Sequence, residues 1–365
     1  MNLEPTDEQA ALRDTVRKFL AEKASIASYV RPMLDDPAGT TDDVWRGLAA
    51  LGATGLLVPT QHDGAGMTMV EAGIVAEELG SALHPGPWLS CAVAAARALQ
   101  RVDAGSEAAD LLRGIADGSV IVTVGPLAGT RPSAHEHGQD VALRGTLAGI
   151  PDMAAADVLL VLADTKSGTE LLAAEAHAPG IVATRVSGVD PTRRYFDVTL
   201  DDVPARPLAS ASPEAIGALV DDVLCAHAAD ALGAATAVLT NAVEYAKVRR
   251  QFGQPIGSFQ AVQHLCVDMY ETVELARSGV LHALWAADAA DASERHLAAV
   301  RTKAFAARLV TVGETAIQVF GGVGYTWEHD AHLYLKRLLS WSAFLGAADQ
   351  FVTEIGAQLA HSVTA

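Results

Sequence analysis

The chain has 365 residues, of which 44 are acidic and 26 basic, giving a formal charge of -18. A surface of that sign excludes nucleic acid and anionic membrane as principal partners, while leaving room for a local basic site that takes a phosphorylated cofactor. Hydrophobic content of 50% with 19% charged residues describes a folded chain, not a disordered one, long enough for two or three packed units. Cys91, Cys225 and Cys266 are widely separated and form neither a metal-ligand spacing nor a disulfide framework. They predict a reducing, cytoplasmic compartment. The acidic first residues lack an apolar core, so no signal peptide is expected. The longest apolar runs, such as residues 91–96, are too short for a membrane span.

Residues 1–118 read as a helical domain. Thr6 and Gln9 have the spacing of a capping box, and Leu12, Val16, Phe19 and Leu20 recur on one face. Further amphipathic segments cover residues 42–51, 70–79, 87–99 and 106–116, with a glycine- and proline-rich loop at 58–67. Over residues 119–207 the pattern changes to short β-branched runs at 120–124, 141–147, 158–162, 180–186 and 195–200. Such spacing predicts a central antiparallel β-domain, a small barrel or sandwich. Residues 130–139 have no apolar period and read as a surface loop.

Residues 208–365 return to helix. Ser212 and Pro213 make a cap and first-turn pair, opening a helix that runs to about residue 250. Others follow at 259–290 and 294–319, and long helices with short connections predict an up-and-down four-helix bundle. The fold class is therefore α+β multidomain: helical domain, antiparallel β-domain, four-helix bundle.

Three chemistries are missing: no dinucleotide fingerprint opens a βαβ unit, and there is neither a P-loop nor a Gly-x-Ser-x-Gly elbow. Two features remain. Arg249 and Arg250 close the first bundle helix, where cations suit the negative dipole end and where a guanidinium beside Phe252 also suits a phosphate. Gly321, Gly322 and Gly324 follow a helix, where glycine serves either as a C-cap or to let backbone approach a ligand.

The run Tyr245-Ala246-Lys247-Val248-Arg249-Arg250-Gln251-Phe252-Gly253-Gln254-Pro255-Ile256, with Phe259-Gln260-Ala261-Val262-Gln263, resembles the acyl-CoA dehydrogenase family. So do Val273-Glu274-Leu275-Ala276-Arg277 and Gln318-Val319-Phe320-Gly321-Gly322-Val323-Gly324-Tyr325. The resemblance covers essentially the whole chain and implies FAD as cofactor, an acyl-CoA thioester as substrate and α,β-dehydrogenation as the reaction. It implies that Arg249 contacts the flavin pyrophosphate and Phe252 its adenosine end. Gln318, Gly321 and Gly322 would border the same end, all toward a flavin held mainly by an adjacent subunit.

The family's base is a glutamate, and the two positions that carry it hold Leu345 and Val223 here. Asp222, beside Val223, is a candidate base if the register shifts; as acids near a helix start, Asp221 and Asp222 also simply favour the dipole. The segments that usually hold the flavin ring correspond to residues 122–129 and 145–152, where only Pro126 and Gly129 match. Residues 325–330 resemble a form found in members handling bulky acyl groups, although Glu328 and Asp330 also suit a helix start. His264 and His332 read as packing or surface residues, and Cys266 as core.

The resemblance thus implies the degenerate subunit of a heteromeric member. Its partner, a second acyl-CoA dehydrogenase-like chain in a heterotetramer, would supply the base, and a separate electron-transfer acceptor would take the electrons. A bulky acyl group, such as a sterol side chain in β-oxidation, is the expected substrate class. The alternatives are a self-sufficient homotetramer with an atypical base and a non-catalytic structural subunit.

Overall fold

The computed structural model describes residues 4–137 and 140–364. Part of the expected surface loop, residues 138 and 139, and the first three residues of the acidic N-terminus lie outside the described residues. The helices are α1 (Asp7–Lys23), α2 (Arg31–Met33), α3 (Asp42–Ala50), α4 (Met69–Ser81), α5 (Ala96–Arg101) and α6 (Ala109–Asp117). Seven strands follow: β1 (Val122–Gly125), β2 (Ser133–His137), β3 (Asp140–Pro151), β4 (Val158–Thr165), β5 (Gly168–Glu175), β6 (Ile181–Val186) and β7 (Tyr195–Ser210). After α7 (Pro213–Val248) comes a hairpin of β8 (Arg250–Gln251) and β9 (Gln254–Pro255). The chain ends with α8 (Gln260–Ala289), α9 (Ala292–Ala306), α10 (Leu309–Phe320), α11 (Ala331–Ala343) and α12 (Ala348–Thr364). It divides into two compact units: Met1–Ser28 with Gly73–His84 and Leu224–Ala365, and Tyr29–Ala72 with Pro85–Val223.

The second of these units holds the sheet. Strands β4, β2, β3, β7 and β5 follow one another around it, and β5 pairs back onto β4, so the sheet closes on itself as a small barrel. β7 alternates as a half-buried strand should: Phe196, Val198 and Leu200 enter the core with Leu143, Leu147, Leu159 and Val161, while the residues between them face out. The sheet is not wholly antiparallel, because β1 runs parallel to β4.

Two strands depart from the sequence expectation. β2 lies inside the stretch read as loop; its Ser-Ala-His-Glu-His sequence has no strand propensity, and antiparallel pairing with β3 from Ser133↔Arg144 onward makes it a strand. β5 has the leucine, alanine and glutamate of a helix, yet it bonds to both β4 and β7 and buries Leu171 and Leu172. Arg194, buried, fixes the turn after α2 by donating to the carbonyls of Met33, Asp36, Pro85 and Thr192.

In the first unit the capping box at Thr6 forms as expected, with both reciprocal bonds present. α4 crosses α7 at two glycines that face opposite helices: a Cβ on Gly80 would stand 1.9 Å from the Asp230 carbonyl oxygen, and one on Gly233 would stand 1.8 Å from that of Glu77. Beside the crossing, Arg337 grips both oxygens of buried Asp230 at 3.0 Å and donates to the His84 carbonyl. The helix expected over residues 294–319 is interrupted between α9 and α10. The Trp341 indole takes the Ala306 carbonyl at 3.0 Å, removing an acceptor that a continuous helix would use, and the next backbone bonds tighten to Arg308→Phe305 and Thr311→Arg308.

α7 corrects the reading of apolar runs. Its 36 residues are long and apolar enough to cross a bilayer by length and composition, but 78% of its most apolar window is buried within the protein.

Candidate functional site

The junction after α7 is a two-residue hairpin. Arg250 pairs with Pro255 and Gln251 with Gln254, leaving Phe252 and Gly253 as the central residues with φ of 52° and 81°. Positive φ at both positions is the geometry of the turn that matches strand twist, and it normally selects asparagine and glycine. A phenylalanine there costs roughly 1–2 kcal/mol of backbone strain. Phe252 recovers little by burial, since it is 92% exposed, with its ring edge-on to Phe259 at a centroid distance of 6.1 Å. The Arg250 guanidinium ties the tip by donating to the Gly253 carbonyl at 2.7 Å. Arg249 is exposed, and among the described residues its guanidinium has no hydrogen-bond or ionic partner.

Gln318, exposed in the last turn of α10, leads into Gly321 and Gly322. Gly321 has φ 66° and ψ -146°, a region essentially closed to other residues. Gly324 is explained by packing, because a Cβ there would come within 3.0 Å of Phe320. A Cβ on Gly322 would meet nothing within 4 Å, so internal packing does not call for its missing side chain. This segment and the hairpin are joined through rings: Tyr245, whose carbonyl accepts the Arg249 backbone N–H, lies 5.1 Å from Phe320, the residue before Gly321. Val248, Val323, Tyr325 and Trp327, in or next to these segments of the chain, are exposed.

These residues fit FAD: an unpaired guanidinium for the pyrophosphate, an exposed ring for adenine stacking and open backbone at glycine. The site residues expected from the sequence, Arg249, Phe252, Gln318, Gly321 and Gly322, therefore fall on segments joined by one aromatic contact. Tyr245 and Phe320, which make that contact, are not among them. The sequence signal for the pair is an aromatic placed one turn before the arginine and another directly before the glycines.

The base positions are different. Val223 is 2% exposed on α7. Asp222 beside it is fully buried and held by Arg101 at 2.8 and 2.9 Å, with the Nε of Arg97 at 3.6 Å, so its carboxylate is engaged as an ion-pair acceptor. Leu345, φ 53°, sits half-buried in the turn after α11, next to Phe344, whose ring stacks on His227 at 4.1 Å. That turn is capped by Lys303, whose Nζ donates to the Trp341 and Ser342 carbonyls at 2.6 and 3.3 Å. Burial pulls the Lys303 pKa down to about 7. In the β-domain, Thr123 is buried and donates to the Pro151 carbonyl at 2.7 Å. Among the other expectations, Cys266 is half-buried and His264 exposed, while His332 is buried under Trp327, rings 4.7 Å apart.

Comparison with known proteins gives the family. Residues 6–118 match the model of the acyl-CoA dehydrogenase N-terminal domain and residues 225–359 that of the acyl-CoA dehydrogenase C-terminal domain. The chain is 33% identical to acyl-CoA dehydrogenase IpdE2 of Mycobacterium tuberculosis over 335 residues, 91% of each protein. It is 34% identical to acyl-CoA dehydrogenase FadE34 of the same organism over 96% of this chain but only 48% of that protein. Among solved structures, the Tcur3481-Tcur3483 steroid ACAD is similar at 30% identity and TM-score 0.88, covering 98% of this chain and 99% of that one. The ChsE4-ChsE5 complex from Mycobacterium tuberculosis is similar at 27% identity and TM-score 0.87, covering 99% of each chain. The chain belongs to the acyl-CoA dehydrogenase family, FAD-dependent oxidoreductases.

Proposed function

We propose that this chain is one subunit of a hetero-oligomeric acyl-CoA dehydrogenase, a heterotetramer in which a second family member supplies the base. The observation that carries this reading is an imbalance. The face formed by Arg249, Phe252, Gln318, Gly321 and Gly322 is open and uncompensated, whereas the base positions hold Leu345 and Val223 and the neighbouring Asp222 is taken by Arg101. FAD supplies the hydride acceptance that no side chain provides. This chain's part is to clamp the pyrophosphate through Arg249, cover the adenine with Phe252 and admit the cofactor along the Gly321–322 backbone.

Two comparisons support a partner: the similar Tcur3481-Tcur3483 and ChsE4-ChsE5 structures each carry the names of two chains, and FadE34 is about twice the length this chain matches. The steroid ACAD among them favours a bulky, polycyclic acyl-CoA as substrate. The free cysteines support a reducing, cytoplasmic compartment. The electrons would pass to a separate electron-transfer protein.

The test is to isolate the native assembly through a tag on this chain and count flavins per chain. Arg249→Ala should weaken FAD about 10- to 100-fold, the loss of one charge-assisted pair, and flavin content should fall with the assembly intact. A chain that is yellow when purified alone and bleaches with an acyl-CoA would overturn the hetero-oligomeric reading.

A further inference from the structure

His329 lies just beyond the exposed Val323–Tyr325 corner, where the chain turns back into α11. Its Nδ1 accepts the backbone N–H of Ala331 at 3.0 Å. That N–H belongs to the first turn of α11 and has no intrahelical acceptor. The Asp330 side chain, at the N-cap position, makes no cap bond. His329 therefore does the capping, and since a backbone N–H can only donate, the ring carries its proton on Nε2. The same ring packs against Phe320, centroids 4.3 Å apart and planes at 53°. Phe320, 4% exposed, is in turn 5.1 Å from Tyr245.

Three rings in a row thus connect three pieces of chain: the start of α11, the residue before Gly321, and the last turns of α7 that lead to Arg249. The intervening loop has restraints of its own as well, Trp327 stacking on His332 with centroids 4.7 Å apart and Lys336 lying 5.1 Å over the Trp327 ring. Thr326 donates through both its N–H and its hydroxyl to the Val323 carbonyl, at 3.0 and 2.9 Å, and His329 N–H reaches the Thr326 carbonyl at 3.2 Å. Of residues 321–327 Gly324 is buried against Phe320, and the others are exposed. We propose that His329 is a positioning residue for FAD, capping α11 and bracing Phe320 so that the Gly321–322 backbone is held at a fixed distance from Arg249. The inference rests on the reading that this face takes FAD.

In the tagged native assembly, His329→Ala should weaken FAD about tenfold, the combined effect of a lost cap and a lost ring contact. Amide exchange at residues 321–326 should quicken while α1 and α12 keep their rates. His329→Asn, which restores an acceptor, and His329→Phe, which restores the ring, should each recover part of the affinity. Failure of both to recover any of it would overturn the proposal. Arg249→Ala distinguishes the positioning role from the cofactor face. If it weakens FAD and His329→Ala does not, the positioning role is wrong and the cofactor face stands. If neither does, the face is wrong and the positioning role falls with it. Should His329→Ala fail to assemble, exchange on the isolated full chain decides: acceleration confined to residues 321–326 supports the proposal, and acceleration throughout overturns it.

Discussion

At the scale of single residues, Lys303 shows how far environment can move a side chain from its ordinary behaviour. It is 1% exposed, capped onto the end of α11 and 4.0 Å from the centre of the Trp341 ring, with no carboxylate partner among the described residues. Burial lowers its pKa to about 7, from an ordinary lysine value of about 10.4. Between those values the unfolded chain holds a proton that the folded chain releases, so this group makes stability rise with pH across the window. The gain is complete above the ordinary lysine range and is lost as pH falls through about 7. The urea midpoint should therefore increase from pH 6.5 toward about 9, and Lys303→Met should flatten that increase; equal slopes in both proteins would refute it. A lysine near a helix end gives no sign of this in the sequence, because most lysines are solvated. Arg249 and the glycines were legible, since their chemistry survives exposure. The left-handed Phe252 was legible only as an aromatic, because its backbone state depends on hairpin pairing that forms after α7 ends.

Between elements, the two kinds of glycine can be told apart by what a methyl group would meet. Gly233→Ala drives a Cβ to 1.8 Å from the Glu77 carbonyl, which belongs to backbone and cannot swing away. It should cost ~2–3 kcal/mol as α4 and α7 separate, seen as a melting temperature lower by several degrees. Gly322→Ala has space on every side in this chain. It should leave the melting temperature unchanged and lower flavin content in the assembly. Reversal of that pattern would mean that Gly322 serves the fold and not the cofactor. Helices were the most legible elements, their caps and apolar faces being local; Thr6 with Gln9 caps α1 as its spacing predicts. β2 and β5 were less legible, because pairing overrides their composition: β2 is a strand through β3, and β5 through both β4 and the distant β7. The break between α9 and α10 was equally hidden, since its cause is an indole 35 residues away.

For the whole molecule, the order helices, sheet, helices was readable because each change of hydrophobic period coincides with a change of element type. What the sequence could not supply was the pairing of β5 with β7 that helps close the sheet, nor the way Asp222 is spent on Arg101. Both are long-range pairings with no local signature. The hairpin between α7 and α8 has one more consequence. It places two consecutive arginines, both exposed, on a neck whose tip is strained and scarcely packed. Trypsin should cut the isolated chain there first, separating α7 from α8, and should cut far more slowly once partner and FAD cover Arg249. Persistence of equal cleavage rates would place the neck outside any contact. If protection is found, the appearance of the two fragments becomes a clock for subunit exchange, readable on a gel without substrate, acceptor or any knowledge of the acyl chain.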